Sequence, residues 1–361
     1  MKSISISICL IILTIILCMK PAYAMSEQLA DALPSDVQDL LEDSFTGKDG
    51  QLLEKGVSTL WNKGKQLLRE LLQQQTSGAV LLLCAVLVCA LADDCCKAAD
   101  SNMPLPLVSV VGAIAITMIA AGDIRTLMGV GMDAIDTLDT FSKALLPTLM
   151  AAVAASGGAV TAGVRHVAAV FFTDIFISLI RGLLLPMVYI YIASAAANAL
   201  VPGRKIGSIA AAIRKGTTWI LSGTLVLYTG YLSLSGTVAS SADALTVQLT
   251  RSAMGAVPIV GGIISGAADT VLHGAAILKN TVGVSGTLAV LALCLTPFLK
   301  LTVQYFLYKA AAFLAGTLGS PSLVDLIHDL GSAFGLILGM TGACAVLLLI
   351  STVSAVLVVT I

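Results

Sequence analysis

Uncharged, apolar runs separated by short charged stretches are the dominant pattern along the chain. The runs cover residues 71–92, 101–122, 144–164, 182–203, 216–242, 252–268, 280–299 and 330–361. Most match the roughly 20 residues that a helix needs to cross a hydrocarbon core of about 30 Å. Lipid offers backbone groups no hydrogen-bond partners, so runs of this kind must bond internally, as helices. The pattern predicts an all-α, polytopic integral membrane protein, with six to nine membrane helices over residues 77–361 and no soluble domain of size.

Two stretches near the amino end depart from this pattern. Lys2, the apolar stretch from Ile4 to Cys18 and the triplet Ala22-Tyr23-Ala24 have the layout of a signal peptide over residues 1–24. An uncleaved first helix is the alternative; either arrangement starts Met25 outside the cytoplasm. Residues 25–76 follow with nine acidic and five basic side chains. Within them Leu53, Val57, Leu60, Trp61, Leu67, Leu68, Leu71 and Leu72 recur at helical spacing. This extracytoplasmic, amphipathic helical segment is expected to lie on the membrane, to meet a partner, or to pack on the protein's own helices.

Composition sharpens the picture. Hydrophobic residues make up 57% and charged residues 11% of the 361, and mean hydropathy is +0.97; soluble domains carry about 25% charged residues. Formal charges nearly cancel, 20 basic against 21 acidic, which leaves no field to attract nucleic acid. The bilayer is the expected surrounding. Cys84, Cys89, Cys294 and Cys344 fall in apolar runs as small packing residues, and only Cys95-Cys96 sits among charges. No disulfide framework is expected.

Charge also orients the chain. Arg204, Lys205, Arg214 and Lys215 form a basic stretch without acidic residues, the mark of a cytoplasmic connection. With Met25 outside, an odd number of crossings must precede it. Residues 144–203 must then cross once or three times, and Ala151 to Val164, weakly apolar, is the part expected to break, re-enter or lie flat. Pro147 and Pro186 recur as Pro258 and Pro297 at an offset of 111. The offset suggests parallel repeats at about 106–200 and 217–312, both starting on one side of the membrane.

No catalytic constellation emerges: the chain has no H-E-x-x-H, no G-x-S-x-G and no phosphate loop. Ala120-Ala121-Gly122-Asp123 lacks the first glycine of a membrane aspartyl protease signature, and His166, His273 and His328 share no ligand spacing. An enzyme, a cofactor and a bound metal are therefore not expected. Ionisable residues within apolar context are the sharper signal, because a charge near the bilayer centre costs at least about 3 kcal/mol and favours a polar interior. Asp174 and Arg181 stand two helical turns apart, and Asp269 and His273 one turn apart; these four are candidates for a polar path or for pairing between helices. Lys300, Lys309 and Arg165 are expected at span ends, snorkelling to headgroups. Gly262 and Gly266, and Gly331, Gly335 and Gly339, repeat every fourth residue and predict close helix packing, within the chain or with another subunit.

The segment Gly236-Thr237-Val238-Ala239-Ser240-Ser241-Ala242-Asp243-Ala244-Leu245, with Val257-Pro258-Ile259-Val260-Gly261-Gly262, Ala267-Ala268-Asp269-Thr270-Val271-Leu272 and Lys279-Asn280-Thr281-Val282-Gly283-Val284, resembles the stage III sporulation protein AE family. The resemblance covers essentially the whole chain. It implies a multi-pass protein of the mother-cell membrane surrounding the forespore, a component of a secretion-like channel complex that sustains late forespore gene expression. The implied partners are the other stage III A membrane proteins and a forespore membrane protein. The family contributes no catalytic residues. A secondary transporter for a small solute is the alternative, suggested by the candidate repeats and the intramembrane Asp and Arg residues.

Overall fold

The computed structural model describes residues 52–98, 107–200, 206–255, 261–317 and 321–357. The expected signal peptide and residues 25–51 lie outside the described residues. Those described form six long helices: α1 (Leu52–Ala98), α2 (Leu107–Ala155), α3 (Ala159–Leu200), α4 (Ile206–Gly255), α5 (Gly261–Ala315) and α6 (Pro321–Leu357). At 1.5 Å per residue, the 49 residues of α2 reach about 74 Å, more than twice a hydrocarbon core. The uncharged runs therefore share helices: 144–155 completes α2 while 159–164 opens α3. Among the described residues, five helices are long and apolar enough to span a membrane, within α1, α2, α3, α5 and α6. The run 216–242 of α4 is diluted by Gly, Ser and Thr and falls short by that measure.

Contacts along the helices fix their directions. On α5 and α6, a side chain at Gly331 would meet Tyr308, one at Gly335 Tyr305, and one at Gly283 Val356, so the two run antiparallel. Leu145 approaches Gly286, and Gln304 donates to Asp123; α2 is thus antiparallel to α5. Tyr191 donates to Asp329 and Arg165 to Ser354, setting α3 against α6. The C-terminal ends of α1, α3 and α5 therefore lie at one end of the bundle, those of α2 and α4 at the other. Three span-length helices, α1, α2 and α3, precede the basic stretch, an odd number as its expected cytoplasmic placement requires, and residues 144–203 hold most of only one of them.

Residues 151–164 contain a tight turn, not a separate element. Gly157 adopts φ 98, Gly158 N–H reaches Val153 C=O, and Gly157 N–H reaches Ala154 C=O. This pairing closes a helix C-terminus through a left-handed residue, a conformation that glycine adopts without strain. In α3, the π-helical turn Ile180–Leu184 lies just before Pro186, which cannot donate to the Gly182 carbonyl.

The candidate repeats run in a common sense, α2 with α4 and α3 with α5. An offset of 111 nevertheless carries the turn at 156–158 onto 267–269, inside α5, so the register is not kept at the turns. The boundary expected at residue 76 falls inside the continuous helix α1, whose Gly56 and Gly64 face Leu288 and Leu295 of α5. The amphipathic segment thus packs on the protein's own bundle, leaving Trp61 and Val57 exposed.

One cross-bundle contact holds the α2–α3 turn. Asp243 of α4 is buried and accepts the backbone N–H groups of Val160 at 2.8 Å and Thr161 at 2.9 Å. Gly158, which precedes α3, supplies no side-chain cap, so a carboxylate 82 residues away in sequence satisfies two orphan donors of the helix and complements its dipole. Asp243→Ala strands both groups and is expected to lower unfolding stability in detergent by about 2–4 kcal/mol. Asp243→Asn, which keeps one acceptor, should lose about half of that; wild-type stability in the Ala variant contradicts the capping role.

Candidate functional site

The most unusual surface follows from the composition of α2. Its first and last thirds are apolar, but residues 123–143 carry Asp123, Arg125, Asp133, Asp136, Asp139 and Lys143. Spacing of three and four residues puts Asp136, Asp139 and Lys143 on one face, and this face meets α3. Arg181 lies in the π-helical turn and pairs with Asp136, each side chain being 51% exposed. Asp139 accepts from Lys143 at 2.8 Å. Asp174 is exposed one side of the seam and lies near enough to attract Lys143. Three carboxylates and two cations thus form an open ladder midway along helices that are otherwise apolar enough to span lipid.

The sequence candidates meet different fates. Asp174 and Arg181 share the exposed face that their spacing predicts, and Arg181 pairs with Asp136 of α2. Asp136, Asp139 and Lys143 stand between the uncharged runs 101–122 and 144–164, outside the apolar context that singles out Asp174 and Arg181 in the sequence. His273 is exposed on α5. The side chain of Asp269 lies outside the described residues, as do the surroundings of Gly262 and Gly266, so the Asp269–His273 pairing is not addressed. Among the glycines, Gly331 and Gly335 lie where an added Cβ would approach Tyr308 and Tyr305 to 3.0 Å, while Gly339 meets only Leu221 of α4 at 3.6 Å.

Two expected snorkelling residues turn inward instead. Arg165 is only 4% exposed and donates to Ser354 of α6; it sits beside the buried bond between Tyr228 and Ser351 at 2.7 Å. Lys309 donates to Ser332 Oγ at 2.7 Å and to the His328 carbonyl at 3.0 Å, and its Nζ lies 2.9 Å from His328 Nε2. Arg165 occupies a helix face that points into the bundle, and Lys309 lies half-buried where α5 meets α6; at each a hydroxyl or carbonyl substitutes for water. A second polar knot joins α2 to α5, where Asp123 accepts from Tyr308 at 2.8 Å and Gln304 at 2.9 Å. Cys294 and Cys344 are buried among apolar side chains, as packing residues. Among the described residues, no three His, Cys, Asp or Glu side chains gather to hold a metal ion.

The open ladder makes a measurable prediction. In a double-mutant cycle on the detergent-solubilised chain, Asp136→Asn and Arg181→Gln should show a coupling of about 0.2–1 kcal/mol, the range of water-exposed pairs. A coupling indistinguishable from zero removes the pair.

Residues 35–360 match the model of the family described as stage III sporulation protein AE. The chain is also similar to the stage III sporulation protein AE of Bacillus subtilis (strain 168), with 26% identity over 211 residues, covering 58% of this chain and 53% of the relative. The matched stretch thus spans about half the length of that curated protein. No solved structure matches the chain.

Proposed function

Since the chain belongs to the stage III sporulation protein AE family, a family of sporulation proteins, we propose that it is a non-enzymatic membrane component of the channel complex that links mother cell and forespore. In this reading it resides in the mother-cell membrane surrounding the forespore, with the amino end of α1 extracytoplasmic. It assembles with the other stage III A membrane proteins and meets a forespore membrane partner, and its loss arrests late forespore gene expression.

The observation that carries the reading is the Asp136–Arg181 ladder. Half-exposed charges inside span-length helices need water or a polar protein neighbour, because lipid provides neither. A channel assembly supplies both, as a wet conduit or as a subunit contact. The transporter alternative draws on the same ladder and on the common sense of the two helix pairs, in which a solute path would run through one chain.

Substitution in sporulating cells tests the proposal. Arg181→Glu is expected to cut heat-resistant spore yield by about tenfold or more at unchanged protein level, since it sets like charges against Asp136. Asp136→Arg combined with Arg181→Glu should recover much of the yield. Full spore yield in the Arg181→Glu strain, with the protein still in the membrane, contradicts the proposed role of the ladder.

A further inference from the structure

At the end of the bundle that carries the basic stretch, α4 opens with a groove that the channel reading does not use. Arg214, Lys215, Gly216, Thr218, Trp219 and Ser222 line it. Their positions, i, i+1, i+2, i+4, i+5 and i+8, wrap one side of the helix over two turns. Trp219 is 79% exposed. Among the described residues, neither Arg214 nor Lys215 has a carboxylate at ion-pair distance.

The surface below the groove is apolar. Val226, Leu227 and Leu234 are 67%, 68% and 75% exposed, and a Cβ added at Gly223 or Gly230 would meet nothing within 4 Å. From Trp219 to Leu234 the helix rises about 22 Å, enough to accompany an acyl chain through one leaflet of about 15 Å. Two cations and the Ser222 hydroxyl therefore stand above an exposed hydrocarbon-like track, with an indole at the junction. Such a combination matches one amphiphile: a phosphodiester anion attached to acyl chains.

We propose that the head of α4 binds an anionic phospholipid, of the phosphatidylglycerol class, from the leaflet on the side of the basic stretch. Arg214 and Lys215 neutralise the phosphate, Ser222 donates to it, and Trp219 seats at the boundary between headgroup and chains. The glycines at 223 and 230 leave shallow grooves along which a chain lies flat against the helix. This assignment is independent of the sporulation role and stands or falls on lipid binding alone.

Trp61 and Trp219 are the only two tryptophans of the chain, which gives a direct readout. The full chain carrying Trp61→Phe, placed in phosphatidylcholine nanodiscs, reports from Trp219 alone. Phosphatidylglycerol brominated on its acyl chains should quench this fluorescence at about tenfold lower mole fraction than brominated phosphatidylcholine. Adding Arg214→Gln and Lys215→Gln should bring the two lipids to within about twofold of each other. Inorganic phosphate should not relieve the quenching, because it lacks the chains. Equal quenching by the two lipids overturns the proposal, even if the Gln variants fail to fold; so does a preference that survives in folded Gln variants, or relief by free phosphate.

Discussion

The close approach of α5 and α6 is the constraint on which the remaining structure depends. Between two helices in lipid, little hydrophobic force is available, so contact distance and polar bonding decide association. Gly331 and Gly335 let α6 lie against Tyr308 and Tyr305, and Tyr308 then stacks edge-on against Phe334 at 4.8 Å. The consequence is a central helix: 61% of the most apolar stretch of α6 is buried, against 17% for α1. Once α5 and α6 are locked, α2 packs against both, α1 covers α5 and α2, and α3 and α4 close the other flank.

Polar groups are distributed according to what each level of the bundle can satisfy. Interior ones are tied across helices: Asp123 to Tyr308 and Gln304, Lys309 to Ser332, Tyr228 to Ser351, and Asp243 to the start of α3. Each bond fixes a register between two helices as well as a distance, because moving either helix by a turn strands a buried donor or acceptor. Two further groups of charges lie at the surface, the Asp136–Arg181 ladder and the basic head of α4.

Much of this was legible in the residue pattern. Run length and the absence of charge give the helices, and Gly331 and Gly335 mark the face of α6 that meets α5. Other features were not legible, because they depend on pairings between distant segments. Asp136 meets Arg181 across 45 residues, and Asp243 reaches Thr161 across 82; no periodicity within one helix encodes either. The boundary expected at residue 76 has no break in the helix to mark it. A change from amphipathic to apolar sequence alters what a helix faces without ending it, and α1 continues through that point. Arg165 looked like a span end by sequence, but helical phase turns it toward α6.

Six helices alternate in direction, which is expected to put the α2–α3 turn and the basic stretch on opposite sides of a membrane. The most direct test is labelling of single cysteines in an otherwise cysteine-free chain with a membrane-impermeant maleimide, using Ala155→Cys beside the turn and Gly203→Cys in the basic stretch. The account predicts that Ala155→Cys reacts from outside the intact membrane and Gly203→Cys only after permeabilisation. Reaction of both from one side contradicts it.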